Sequence, residues 1–229
     1  RAEGPYIYDK QGKRYLEGMA GLWCTALGYG NEEVIEAAER QMRELSFSHM
    51  FGGKTHSSAI ELADKLAAMV PMQDGRVFLG NSGSDANDTL LKLIRYHAEA
   101  SGQPNRIKVI AREQGYHGVT LASAALTAIP TNHAHFQLPF EALGVLRTGS
   151  ANYYRGANAG ESEAEFVARR AQELEALILA EGPETIAAMI AEPVSGAGGV
   201  IVPPEGYFEA IQAVLDRYGI WLWDDEVIC

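Results

Sequence analysis

Apolar residues recur along this chain in two rhythms, and the change from one to the other marks out most of its elements. Tyr6, Ile7 and Tyr8, then Tyr15 and Leu16, flank a polar Lys10-Gln11-Gly12 turn, which predicts a β-hairpin over 4–16. Val34, Ala37, Ala38, Met42 and Leu45 return every three to four positions. A helix is therefore expected after Asn31, an N-cap residue followed by Glu32 and Glu33 in the first turn. A second helix is expected from His56 to Val70 on Ile60, Ala63, Leu66, Ala67 and Val70, stopped by Pro71.

From Arg76 onward, short apolar runs alternate with helical patterns. Strands are expected at Arg76–Leu79, Ile107–Ala111, Ile186–Ala191 and Ile220–Trp223. Helices are expected over Asp85–Ala100, with Leu90, Leu93, Ile94 and His97 aligned, and over Glu205–Tyr218. A third is expected over Glu161–Ala180 on Phe166, Val167, Ala171, Leu174 and Ile178, ended by Gly182-Pro183. The stretch from Thr127 to Gly160 scatters Asn, His, Pro and Gly without a regular period. Alternation of this kind predicts an α/β fold on a mostly parallel central sheet flanked by helices.

Composition narrows the function. The 229 residues are 47% hydrophobic and 21% charged, a globular balance, and the length allows one large domain or one domain plus part of another. A net charge of −11 argues against nucleic acid or an anionic membrane surface as partner. No apolar run approaches the roughly 18–20 residues a spanning helix needs. Cys24 and Cys229 form neither a CxxC nor a zinc spacing, so a reducing cytoplasm is expected. A chain that opens at Arg1 and stops at Cys229, directly after a strand, reads as part of a longer protein.

Chemistry is sought beyond the carboxyl ends of the strands, where open α/β sheets bind ligands. Gly80-Asn81-Ser82-Gly83-Ser84-Asp85 leads from the first run straight into a helix. Small residues at a helix N-terminus suit an anion, and the same Ser/Asp pattern also caps a helix that binds nothing. The loop lacks the Lys of a Walker A motif and the spacing of a dinucleotide site. Trp221-Leu222-Trp223-Asp224-Asp225-Glu226 delivers acids from an apolar strand. Such acids hold Mg²⁺ in Walker B strands, pair with a protonated pyridine nitrogen, or stand solvated. Gly115-Tyr116-His117-Gly118 offers an aromatic ring for stacking, or a plain turn, and Glu192-Pro193 places an acid at the end of an apolar strand. His133 and His135 alternate like zinc ligands without an evident third, so no metal is expected. There is no Gly-x-Ser-x-Gly elbow, and neither cysteine has an obvious base.

Five segments taken in order resemble the class III aminotransferases, pyridoxal-phosphate enzymes of fold type I. They are Gly18-Met19-Ala20-Gly21-Leu22-Trp23-Cys24, Asn81-Ser82-Gly83-Ser84-Asp85-Ala86-Asn87-Asp88, Gly115-Tyr116-His117-Gly118, Ala191-Glu192-Pro193-Val194 through Gly199, and Asp225-Glu226-Val227. The resemblance covers essentially the whole chain, as the N-terminal half of such an enzyme. It implies that residues 1–48 form part of a small domain with the substrate-pocket loop. Residues 49–229 would form the large cofactor domain, truncated on its C-terminal side. It implies pyridoxal 5'-phosphate bound by Ser82, Gly83, Ser84, Tyr116, His117, Glu192, Asp225 and Val227. Within that set Gly83 and Ser84 would cup the phosphate, Tyr116 stack on the ring, Val227 pack on its other face and Asp225 pair with its nitrogen. Glu192 would orient the surroundings, and Leu22 and Trp23 would line the substrate pocket.

The implied reaction moves an amino group from an amine or ω-amino acid to a keto acid such as pyruvate, in a homodimer. An aminomutase or decarboxylase of the same family, and a Mg²⁺-nucleotide-binding ATPase-like domain, are the alternatives. None of the six lysines, Lys10, Lys13, Lys54, Lys65, Lys92 and Lys108, follows a strand end beside these groups. The lysine that forms the Schiff base is expected after Cys229, so the 229 residues alone should not turn over. Asp85 stands where the family usually has Glu, and Asp224 where it usually has a small residue. Met19, Leu22, Trp23, Met50 and Phe51 sit in Gly-rich segments, a placement that suits an interface or a pocket.

Overall fold

Strand β6, Ile186–Ala191, is apolar at all six positions and buried at all six, as a strand covered on both faces must be. It lies inside a parallel four-stranded sheet of order β5-β4-β6-β7, with β4 Lys108–Arg112, β5 Val145–Thr148 and β7 Trp221–Asp224. A computed structural model describes residues 1–72 and 74–229, which fall into two compact units, Arg1–Leu79 and Gly80–Cys229. The sheet belongs to the second unit. No described helix is long and apolar enough to cross a membrane.

Because successive strand residues point to opposite faces, the sheet feeds two cores. Ile110 and Met189 pack with Val167, Leu174 and Ile178 of helix Glu163–Glu181 and with Tyr207, Ile211, Val214 and Leu215 of helix Tyr207–Arg217. Val109, Ala111, Ala188, Ile190 and Trp223 face the other way, onto Leu91 and Ile94 of helix Gly83–Ala100 and Leu126 of helix Leu121–Leu126. The chain leaves β4 toward β5 on one side and continues into β6 on the other. The crevice between the carboxyl ends of β4 and β6 is therefore the topological switch point, the place where such sheets bind ligands.

Local signals account for the helix ends. Asn31 accepts a hydrogen bond from Val34 N, starting helix Glu32–Glu44, and His56 does the same for Ala59 N at the start of Ser57–Met69. Ser162 and Glu165 form a capping box that opens helix Glu163–Glu181, and Gly182, at φ 86°, ends it.

Three expectations need correction. Arg76–Leu79 is not a strand: it stays unpaired among the described residues, and an apolar run without a partner ladder makes no sheet. The stretch from Thr127 to Gly160, without a regular period in sequence, contains β5, launched by Gly144 in the left-handed region and paired to β4 from Val145↔Val109 to Thr148↔Arg112. On helix Gly83–Ala100 the buried face is Asn87, Leu91, Ile94 and Ala98, whereas Leu90, Leu93 and His97 are exposed.

The first unit opens with a three-stranded antiparallel meander, β1 Ala2–Glu3, β2 Tyr6–Tyr8 and β3 Arg14–Leu16, one strand more than the expected hairpin. Asp9 closes its turn by accepting from Gln11 N and Lys13 N, both at 2.9 Å. Beyond it, Ala20, Gly21, Leu22 and Trp23 make one turn of left-handed helix, with φ of 48°, 62°, 60° and 65°. Left-handed backbone costs an L-residue about 1–2 kcal/mol, so the three non-glycine residues here carry on the order of 3–6 kcal/mol of strain. Met19, Leu22, Trp23, Met50 and Phe51 are all exposed and belong to neither buried cluster among the described residues.

Candidate active site

The polar residues that end the parallel strands are wired to one another. β4 delivers Arg112 and the loop to Gly118, β6 delivers Glu192, and β7 delivers Asp225, whose N–H is tied to Ala191 O at 2.9 Å. Asp225 is buried. Its Oδ2 accepts from His117 Nδ1 and from Asn87 Nδ2, each at 2.9 Å, while among the described residues its Oδ1 receives only Val227 N at 3.3 Å. Burial alone would raise the Asp225 carboxyl. The bonds from His117 and Asn87 and the field of His117 outweigh it, holding the group below its ordinary value and keeping it anionic. Its Oδ1 retains the capacity to accept a strong hydrogen bond from a cationic N–H.

Asn87 was not singled out from the sequence. It is buried one turn inside helix Gly83–Ala100, and its amide nitrogen donates to His117 O at 2.8 Å as well as to Asp225. Both partners are acceptors, so the orientation of the amide is fixed. His117 is in turn seated by its own N–H, which donates to Thr127 Oγ1 at 2.8 Å. Its buried Nε2 has no partner among the described residues.

Glu192 crosses from β6 to the β4 loop. Its Oε1 accepts from Tyr116 N at 2.9 Å and its Oε2 from Gly196 N at 3.1 Å, which ties down the backbone that carries the half-buried Tyr116. Arg112, also buried, donates to Glu192 O and to Ser195 Oγ and lies against the rings of Tyr207 and Phe208. Two further glycines are required by close approach. A Cβ on Gly118, at φ 125°, would stand 2.4 Å from Ser84 Oγ, and one on Gly83 would stand 2.8 Å from Val227 Cγ2.

The helix start at Gly83 is capped and partly open. Ser82 Oγ accepts from Asp85 N at 3.1 Å, and Asp85 Oδ2 accepts from Asn81 N at 3.0 Å. The N–H groups of Gly83 and Ser84 have no acceptor among the described residues. Ser84 Oγ accepts from Val119 N, and Asp88 Oδ1 accepts from Thr120 Oγ1 and Ser123, pinning the Gly118–Thr120 loop beside that free end. Two unpaired N–H groups at the positive end of an 18-residue helix suit a phosphate.

Asp224 turns the other way. The residue is exposed, and its carboxyl is partly desolvated. That desolvation, with the neighbouring Glu226 and Asp225 carboxylates, pushes it up to about 6. Of the two lysines in this unit, Lys92 is exposed on its helix and Lys108 pairs with Glu181 at 2.9 Å. His133 Nε2 lies 2.6 Å from Thr127 O, bonded to backbone.

Over residues 1–229 the chain matches the family model described as Aminotransferase class-III. The chain belongs to the class-III aminotransferases. A probable gamma-aminobutyrate transaminase 2, mitochondrial, of Oryza sativa subsp. indica is 50% identical over the whole chain and 46% of its own length. The gamma aminobutyrate transaminase 3, chloroplastic, of Solanum lycopersicum is 48% identical over the whole chain and 44% of its own length. The solved omega transaminase from Pseudomonas jessenii in complex with PMP superposes with a TM-score of 0.96 at 54% identity, over all of this chain and 50% of that one. The chain thus spans about half the length of the curated relatives it matches.

Class-III aminotransferases depend on pyridoxal 5'-phosphate, and the residues of this chain fit that group. The free Gly83 and Ser84 N–H groups answer a phosphate. The half-satisfied Asp225 Oδ1 answers a pyridinium N–H, and Tyr116 offers an aromatic face. Ser82, Gly83, Ser84, Tyr116, His117, Glu192, Asp225 and Val227 all belong to the second unit. Leu22 and Trp23 belong to the first, on its left-handed turn.

Proposed function

We propose that the full-length protein carrying this segment is a transaminase that moves an amino group from an amine or ω-amino acid to a keto acid such as pyruvate, working as a homodimer. The observation that carries the reading is the Asp225 carboxylate, buried, anionic and held by Asn87 and His117 with one oxygen left for a cationic ring nitrogen. Bound pyridoxal phosphate would supply an electron sink that keeps its strength only while that nitrogen stays protonated. In this chain Asp225 would hold the ring proton, and His117 and Asn87 would hold Asp225. Gly83 and Ser84 would bind the phosphate, with Ser82 fixing their helix end. Glu192 would set the Tyr116 ring against the pyridine face, and Val227, packed on Gly83, would bound the other face. Leu22 and Trp23 would form an apolar wall for the donor. The lysine that takes the substrate α-proton would come from sequence beyond Cys229.

The donor class is supported by the names of relatives, gamma-aminobutyrate transaminases and omega transaminases, one of the latter a variant "engineered for asymmetric synthesis of enantiopure bulky amines". The homodimer is supported by Met19, Leu22, Trp23, Met50 and Phe51, apolar and exposed in irregular segments. The exposed thiols of Cys24 and Cys229, which form no disulfide, suit a reducing compartment, the cytoplasm. The Mg²⁺-nucleotide alternative loses its footing with the family assignment.

The test is the colour of the purified full-length protein. Visible absorbance that an ω-amine bleaches and pyruvate restores, with alanine formed, is the expected result. Colourless protein would sink the reading. Colour with release of CO₂, or with an isomerised amino acid and no alanine, would move the enzyme to the decarboxylase or aminomutase branch.

A further inference from the structure

The left-handed turn at 20–23 is held by one side chain. Its first amide groups point out of the turn, as they do at the start of a right-handed helix, and need acceptors. Glu17 meets three of them: Oε1 accepts from Met19 N at 3.2 Å, the main-chain O from Ala20 N at 3.4 Å, and Oε2 from Gly21 N. Tyr29 Oη reaches the same Oε2 at 3.4 Å. The far end is closed by the turn's own bonds, Trp23 N to Met19 O and Cys24 N to Ala20 O, both at 2.9 Å. Gly21 admits no side chain, since a Cβ there would lie 2.9 Å from Thr25 Cγ2 and 3.1 Å from Tyr29 Oη.

Leu22 and Trp23 take this conformation without burying themselves, being 59% and 40% exposed. Strain that yields no core packing displays side chains in a fixed direction, which is what a ligand-reading turn requires. We propose that Glu17 is a positioning residue for donor selectivity: it caps the left-handed turn and so fixes the direction in which Leu22 and Trp23 face the amine substrate. This rests on the assignment of Leu22 and Trp23 to the donor pocket made above. Without the carboxylate, the strained residues relax to ordinary backbone and the apolar wall loses its place.

The experiment compares Glu17→Gln, Glu17→Asp and Trp23→Ala with wild type in the full-length holoenzyme. It measures kcat/KM for an aryl-alkyl amine and for alanine, the cofactor absorbance per subunit, and the rate of chymotrypsin cleavage after Leu22 or Trp23. Glutamine keeps the size of the side chain and one acceptor, but turns an NH₂ toward an N–H. For Glu17→Gln, aryl-amine kcat/KM should fall about tenfold more than alanine kcat/KM, the scale on which apolar pockets discriminate. Cofactor absorbance should be unchanged and cleavage faster. Glu17→Asp, with both acceptor oxygens, should recover part of the preference. Equal losses on both donors, or an unchanged preference with unchanged cleavage, would overturn the proposal. Should Trp23→Ala shift the preference while Glu17→Gln does not, only the role of Glu17 fails. Should Trp23→Ala lower both donors equally, the pocket assignment itself fails.

Discussion

The strand ends of the second unit and the left-handed turn of the first both hold side chains still, by opposite means. Around Asp225 the main constraints come from far along the chain: Asn87, His117, Glu192 and Arg112 are buried, in ordinary backbone, and bonded across elements. At the turn every constraint is local, from Glu17 to Tyr29, and the backbone itself is strained while the side chains it carries stay exposed. A long-range network can be disturbed only by opening the fold, so it suits chemistry that must be the same for every substrate. A short strained turn can be re-aimed without unfolding anything, so it suits the reading of one substrate against another.

The largest expected effect tests the first half of that contrast. Asp225→Asn keeps the shape of the side chain but cannot stay anionic, so kcat in the full-length enzyme should fall by roughly 10²–10³. The loss should be the same for aryl and small donors, with the cofactor still bound by absorbance. A loss confined to one donor class would break the comparison, and near-normal turnover would remove Asp225 from the mechanism.

Asn87→Ala comes next. It leaves His117 O and Asp225 Oδ2 each short of a buried donor, at a cost of about 1–3 kcal/mol of stability. Thermal unfolding should shift down by a few degrees, and turnover should fall about tenfold, again without regard to donor. An unchanged melting curve would mean that the bond network does not hold the strand end.

The smallest effect concerns Asp224. Its carboxyl has an ordinary value of 3.8 and is pushed up to about 6 in the folded protein, so the folded state binds its proton more tightly than the unfolded chain does. Stability from this group is therefore present at low pH and is lost as pH rises from about 4 through about 6. Asp224→Asn should flatten that part of the stability–pH profile, leaving donor preference untouched. A profile identical to wild type would show that Asp224 ionises as freely as a solvated acid.

What the sequence made legible follows the same divide between local and distant causes. Helix ends were readable because their signals are adjacent residues: Asn31 with Glu32 and Glu33, or Gly182 with Pro183. β6 was readable to the residue because burial on both faces leaves an unbroken apolar run. β5 was not, since four residues that include Arg147 and Thr148 carry too little pattern, and Arg76–Leu79 has the pattern without a partner. The cofactor-side residues came from motifs whose meaning is collective, and the structure brings Tyr116, His117, Glu192 and Asp225 into one bonded set. Asn87 escaped for a physical reason: a buried polar residue at a core position breaks the apolar period. The stripe was therefore read through Leu90 and Leu93 instead of Leu91 and Ala98.

Helix Gly83–Ala100 has a consequence for recognition that reaches beyond its packing. Its open N–H groups and its amide at Asn87 lie three to four residues apart on one rigid rod, roughly 4.5–6 Å along the axis. A ligand that must satisfy both an anion contact at the tip and a ring contact through Asp225 is gauged by that fixed span. Inorganic phosphate meets only one jaw of the caliper, and an unphosphorylated pyridine only the other. A molecule that joins the two groups at the right separation gains the effective concentration of a chelate, the second contact forming without a second encounter. A helix is thus a length standard, and it would favour a ligand that joins an anion to a cationic ring at a matching separation.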